Sequence, residues 1–530
     1  MIFQIKRLLI GETKAGTKWR YTCVLFCFWL FSLWMFSKTP YGIDDWSWGI
    51  PKGKEYLITG SLNGRYLGNL LEIIVSRSEL LKTVIIGTMA ALLPALSVEL
   101  LLDWEKKGEE RIIQEYIENG RPVLLLAACL LYMTIPMSVW RQTYGWIAGF
   151  SNFGLSAVLI LVYQLVVLQL WNNDTPIDLA SVFALLTFGV AIELVLENVS
   201  IYFAITTLVL TICRQVCAGK RSGRLLLLLM GNFIGIAMMF SSSIYSVLFE
   251  TGHAINGMRA ITFDRNAGFL ANMLLLNERF IYFFPVSIWA NNWIICGTAA
   301  LIMAINCTKE KTLICYLLCG LNICFVIYIF LNHSFGPPEN YISRWSDVLS
   351  QRLNLLYFWI IMITIIILYH KEKRHLMVSI FLWFSAPAVI FPLSATNMNA
   401  EAGRCFLPST VFQIEFLLLQ VLNFTKGNDF ALKKRWGIVL AVLLFGVCLQ
   451  KGIIYHEIGI VKQEREKLIN SAKRGETEYI AFPDFPYLEY LWVTEPVGEE
   501  QRNYFREFYD IPKNVEISFN TGESYESLGE

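Results

Sequence analysis

Two adjacent carboxylates, Asp44 and Asp45, stand in the stretch YGIDDWSWGI, residues 41 to 50, among tryptophans and just past the first long apolar run. Ionised side by side they repel, and each wants water, so a place near low dielectric is costly for both. One of such a pair tends to keep its proton while the other is left as a base. A carboxylate so placed can take the proton of an alcohol within hydrogen-bond reach. A solvated turn is the plainer reading, and spacing alone leaves both open. Trp46 and Trp48 fit an interfacial aromatic belt.

Basic and polar residues gather in four other segments. WRQTYGW at 140–146 holds Arg141 and runs into GFSN with Asn152; GHAINGMRAITFDRN holds His253, Asn256, Arg259 and Arg265. NHSFGPPENYISRWSD holds His333, Arg344 and Asp347, and NMNAEAGR ends in Glu401 and Arg404. A lone arginine at a membrane surface is usually a headgroup contact. Four segments each offering one, with carboxylates on a fifth, suit an anionic ligand, because guanidinium matches phosphate oxygens bidentately.

The elements that must position these groups are membrane helices. Hydrophobic residues make up 55% of the 530-residue chain and charged ones 16%, with a mean hydropathy of +0.49. That composition excludes an ordinary soluble globule. A net charge of +1 argues against a nucleic-acid partner. The twelve cysteines fall in or beside apolar runs and read as small packing residues. The first run lacks a small-x-small cleavage site at its exit FSKTPYG and reads as a retained helix.

Runs of about 20 apolar residues suit spanning helices. They lie near 21–37, 80–103, 122–139, 150–171, 179–195, 199–216, 225–241, 284–305, 312–331, 353–369, 376–394, 405–424 and 436–455. The expected fold is an all-α polytopic membrane protein of about thirteen spans. It comprises a transmembrane domain over 1–455 and an extracytoplasmic C-terminal tail over 456–530. With the N-terminus cytoplasmic, inner segments carry 21 Lys and Arg in 76 residues, and outer loops 12 in 127. This satisfies the positive-inside rule and makes 38–79 and 242–283 the long outer loops. In the first, NGRYLGNLLEIIVSRSELL places Leu67, Leu70, Leu71, Ile74 and Val75 at roughly helical spacing, the pattern of a helix lying in the interface.

Several of these motifs together resemble the GT-C superfamily of membrane glycosyltransferases, within an uncharacterised bacterial branch. They are DDW with NGR at 63–65, WIAGFSNF entering the fourth run, LENVS at 196–200, GHAINGMR, AEAGRCF, and FREFYDIP in the tail. GHAINGMR lacks the proline associated with that loop in relatives.

The resemblance implies inverting transfer of a sugar from a polyprenyl-phosphate donor to a cell-surface glycan on the outer face of the cell membrane. Either Asp44 or Asp45 is then the catalytic base. Arg259, Arg344 and Arg404 would hold the donor phosphate, whose charge grows as it leaves. Arg65, Glu197, Asn198, Asn152 and Trp46 would contact sugar or acceptor, although Glu197 and Asn198 read equally well as a helix cap. A lipid-linked donor needs no nucleotide site, and none of the phosphate-loop motifs is present. No metal ligand is assigned; a divalent metal stays possible. A transporter or flippase of lipid-linked sugars, or a polysaccharide polymerase or ligase, is the alternative.

Overall fold

A computed structural model describes residues 15–106, 111–172, 177–217, 219, 223–254, 259–264, 266–285, 293–334, 348–396, 403–426 and 434–519. Among the described residues eight helices are long and apolar enough to cross a bilayer: Gly16–Lys38, Glu79–Trp104, Ile147–Trp171, Glu197–Val216, Gly223–Phe240, Lys373–Ala395, Gly403–Phe424 and Arg435–Lys473. The chain is an all-α multi-pass membrane protein.

The other five apolar runs are also helical, within Arg111–Met133, Leu179–Glu193, Trp293–Lys309, Leu313–Ser334 and Val348–Tyr369. The 15 residues of Leu179–Glu193 reach about 22 Å at 1.5 Å per residue, short of a hydrocarbon core of about 30 Å. Of the thirteen expected spans, eight are helices of crossing length and composition among the described residues.

Burial is turned inside out relative to a soluble bundle. Helix Gly403–Phe424 forms the centre, whereas Arg435–Lys473 bares Ile438, Val442, Leu443, Phe445 and Leu449. Exposed apolar side chains cost nothing where lipid is the solvent, so association rests on close packing and buried polar contacts. Helices Leu179–Glu193 and Gly223–Phe240 illustrate this. A Cβ on Gly189 would stand 2.7 Å from the Leu228 carbonyl oxygen and 2.9 Å from the Gly231 Cα, so the two backbones touch through glycine.

The segment read as loop 242–283 is mostly structured. It contains helix Ser243–Thr251, an antiparallel ladder of His253–Ala254 with Arg259–Ala260, and helix Phe269–Pro285. The next helix starts at Trp293 rather than 284. Phe269, Leu270, Met273 and Leu274 carry helical apolar spacing and are exposed; interleaved polar residues hid the pattern. The first long loop holds three helices, Ile43–Gly49, Pro51–Thr59 and Tyr66–Ser76. The last is the helix the sequence pattern foretold, with Leu70 and Ile74 exposed.

The final helix continues past 455 to Lys473, because Tyr455, Ile458, Arg465, Ile469 and Ala472 keep one face buried at helical spacing. Beyond it, strand Tyr479–Phe482 pairs parallel with Glu516–Phe519, and helix Gly498–Phe508 packs Phe505 between Phe482 and Phe519. Arg465 ties helix to tail, donating to the Pro483 carbonyl at 2.8 Å and to Glu495 at 3.1 Å. Both side chains of the pair are about 5% exposed. Removing one partner of a buried pair strands the other charge, at about 3–5 kcal/mol. Glu495→Ala should therefore release the tail, seen as protease cleavage after Lys473 under conditions that leave the wild-type chain intact.

Candidate functional site

Asp44 and Asp45 sit on the seven-residue helix Ile43–Gly49. It begins just after Pro40, where the first long helix has ended. Asp45 is fully buried; one oxygen accepts from the Gly42 N–H at 2.7 Å and the other from the Ala148 N–H at 2.7 Å. The first contact caps its own helix, and the second pins that helix to the next polar segment. Burial pushes the Asp45 carboxyl up to about 7, against the pull of those two N–H groups. Asp44, one residue earlier, points elsewhere and lines a cavity of about 690 Å³.

Six of the ten site residues named from sequence border that cavity: Asp44, Arg65, Asn152, Glu197, Asn198 and Arg404. Asp45 and Trp46 do not. Trp46 is wholly buried, edge-on to Phe505 of the tail at 5.1 Å, so it anchors the tail instead of contacting a ligand. Trp48 takes the wall position. The backbone of Arg259 pairs with Ala254 beside Ala260, a wall residue. The side chain of Arg259 and all of Arg344, together with Asn256, Arg265, Asp347 and Glu401, lie outside the described residues.

Arg65 is tightly held. Its Nε donates to Glu197 at 2.8 Å, and the Tyr245 hydroxyl donates to the other oxygen of Glu197. With both its oxygens engaged, Glu197 acts here as counter-ion and splint for Arg65. The terminal nitrogens of Arg65 have no protein partner among the described residues. Arg404 lies 5.6 Å from the Trp146 ring and 5.8 Å from Trp492 of the tail, and donates to Gln142 at 3.2 Å. Both arginines line the same cavity. Asn198 donates to the Val389 carbonyl at 2.8 Å.

Asn152 falls in a π-helical turn, Phe150–Gly154, a local widening that re-aims side chains. Gly68 lets the interfacial helix approach it: a Cβ there would meet the Asn152 Oδ1 at 2.2 Å. Asn152 donates to Glu72 at 3.3 Å and to the Ala148 carbonyl at 3.2 Å.

Sequence reasoning passed over Glu72, Asn69, Asn63 and Tyr245, all at the cavity. A signal for two of them was present. Asn69 and Glu72 stand three apart in an otherwise apolar helix, on the side opposite Leu70 and Ile74, which is what a helix between lipid and a polar chamber would show. The rest of the wall is apolar, including Phe240, Leu248, Phe249, Phe263 and Leu393. Phe249 and Phe263 are also exposed, so the apolar side continues onto the outer surface of the molecule. Among the described residues no three His, Cys, Asp or Glu side chains gather as a metal site.

No family model, curated protein or solved structure matches the chain.

The raised carboxyl of Asp45 fixes a sign for pH dependence. Between its ordinary value of 3.8 and about 7, the folded chain holds a proton that the unfolded chain has released. Stability contributed by this group is full below that window and is lost as pH rises through it. Melting in detergent should therefore show a fall in Tm across the window, flattened in Asp45→Asn.

Proposed function

We propose that the chain is an inverting glycosyltransferase. It would move a sugar from a polyprenyl-phosphate donor to a cell-surface glycan, on the extracytoplasmic side of the cell membrane. The N-terminus is then cytoplasmic and the tail extracytoplasmic. The observation that carries this reading is one cavity that combines Asp44, the guanidinium groups of Arg65 and Arg404, and an apolar wall running out to lipid.

Each part has a task in that reaction. The acceptor hydroxyl is a poor nucleophile, and Asp44 takes its proton as oxygen attacks the anomeric carbon. The bond from that carbon to the phosphate oxygen breaks, and the lipid phosphate departs with the growing negative charge. Arg404 and Arg65 face that charge in a site that limits water, where fixed cations act most strongly. Arg259 and Arg344 remain candidates beside them. Asn198 offers its amide oxygen to sugar hydroxyls, Asn152 braces the wall beside it through Glu72, and Phe249 and Phe263 flank the prenyl chain. Because Arg404 lies beside two indoles and also donates to Gln142, lysine is no substitute. Arg404→Lys should raise the donor KM about tenfold or more, measured with a short-chain prenyl-phosphate sugar.

A transporter of the intact lipid-linked sugar is the second reading. Glu415, midway along the central helix, accepts from Gln164 at 2.8 Å with both side chains buried, and intramembrane carboxyls often mark conduction paths. Purified protein in lipid nanodiscs separates the two readings. With donor and a membrane-derived glycan present, mass spectrometry should find free prenyl phosphate. Donor left intact in the presence of every acceptor fraction would reject the transferase.

A further inference from the structure

Glu72 is the carboxyl that neither the sequence pattern nor the proposed reaction uses. It is 1% exposed yet borders the cavity, on the buried side of the interfacial helix. Its Oε2 accepts from Asn152 at 3.3 Å, while its Oε1 has no hydrogen-bond partner. The Nδ2 of Asn152 is committed to two acceptors, Glu72 and the Ala148 carbonyl, so the amide orientation is fixed. On the same helix Asn69 donates to the Asn63 Oδ1 at 2.7 Å, an oxygen that also accepts from the Arg65 N–H at 3.0 Å. These contacts satisfy one oxygen of Glu72 only. A buried carboxylate with a bare oxygen is a poor arrangement, and the carboxylic acid a far better one, since it removes the charge.

The charged neighbours agree. Asp44 and Asp45 act on Glu72 from helix Ile43–Gly49, and Arg65 acts from the turn before its own helix. Lys82, on the adjoining long helix, acts on Asp45 and spends its ammonium on the Thr39 carbonyl and Glu79. Asn152, from the π turn, is neutral. Arg65 is itself matched by Glu197. Burial and the two aspartates together push the Glu72 carboxyl well above its usual range.

We propose that Glu72 is a positioning residue held as the neutral carboxylic acid, orienting Asn152 and keeping the wall beside Asp44 uncharged so that an anionic ligand can enter the cavity. The ligand class is a phosphodiester-linked sugar, and to that extent the inference rests on the transferase reading. Two neighbouring carboxyls can divide the work: with Glu72 neutral, Asp44 is left to take the proton. If Glu72 ionised, a second negative charge would stand beside Asp44 and oppose the incoming phosphate.

The test uses the full-length protein in nanodiscs and a short-chain prenyl phosphodiester, whose single charge is constant over the range titrated. In wild type, binding should weaken roughly tenfold or more as alkaline pH ionises Glu72. Glu72→Gln, which mimics the neutral acid, should bind like wild type at neutral pH and lose the decline above the Asp45 transition at about 7. Infrared difference spectra should show a protonated-carboxyl carbonyl band in wild type at neutral pH that Glu72→Gln lacks. An alkaline decline and a carbonyl band both unchanged in Glu72→Gln would overturn the proposal. Should no variant bind the probe, the donor reading fails and the carbonyl band alone decides whether Glu72 is neutral. If Glu72→Gln does not fold, wild type suffices: a hydrophobic carbodiimide, which reacts with protonated buried carboxyls, should label Glu72 at neutral pH. Labelling of Asp44 with none on Glu72 contradicts the assignment.

Discussion

Asp44→Asn is expected to cut sugar transfer by about 10²–10⁴-fold, the usual contribution of a positioned general base. The amide keeps the shape of the side chain and cannot accept the hydroxyl proton. Donor binding should change little if, as proposed, Arg65 and Arg404 meet the ligand charge, so the loss should fall on kcat more than on KM. Thermal stability should also hold, since the side chain of Asp44 faces the cavity, whereas Asp45 forms the buried contacts of that helix. A variant with wild-type kcat would remove Asp44 from the chemistry.

The neighbouring substitution should behave in the opposite way. Asp45→Ala removes the acceptor of two backbone N–H groups, those of Gly42 and Ala148. Each is then buried without a partner, at about 1–3 kcal/mol apiece, and the side chain leaves a cavity besides. The helix it anchors also carries the tail: the Ile43 N–H donates to the Val493 carbonyl at 3.0 Å. Gly49 abuts Phe508 so closely that a Cβ would stand 2.2 Å from the ring. The expected outcome is a sharp fall in folded, detergent-stable protein, read by fluorescence-detected size exclusion. Asp45→Ala at wild-type yield and Tm would mean that the two hydrogen bonds hold nothing in place. Adjacent aspartates thus give one variant that is folded and inactive and another that is poorly folded.

Much of this arrangement was legible in the sequence, and the gaps have physical causes. Apolar runs mark helices wherever lipid is the solvent, so all thirteen runs coincide with helical segments. Their lengths were harder to judge, because hydropathy reports what is apolar and not where a helix stops. Leu179–Glu193 ends before the turn that leads into the helix starting at Glu197, although the apolar pattern suggested 179–195. The interfacial helix was visible from its exposed leucines. Its inward stripe of Asn69 and Glu72 was read past, because single polar residues in an apolar run resemble noise until a cavity stands beside them.

The aspartate pair drew notice by its cost, but sequence could not divide the roles. Adjacent helical side chains point about 100° apart, so one of them could be buried while the other reached the cavity. Trp46 was misplaced for a related reason. A tryptophan after a span fits the membrane belt, a ligand wall or a protein core, and the deciding partner, Phe505, lies far along the chain. Tyr245, which holds Glu197 from a helix of the second long loop, left no local sign at all.

The most direct measurement follows the two halves of the donor separately. Membrane vesicles containing the protein are supplied with a short-chain prenyl-phosphate sugar labelled with one isotope in the sugar and another in the phosphate. Bond cleavage at the anomeric carbon predicts that the labels part, sugar entering the glycan fraction and phosphate staying with the prenyl lipid, and that Asp44→Asn keeps them together. Labels that cross the membrane joined, at equal rates in wild type and Asp44→Asn, would contradict the account.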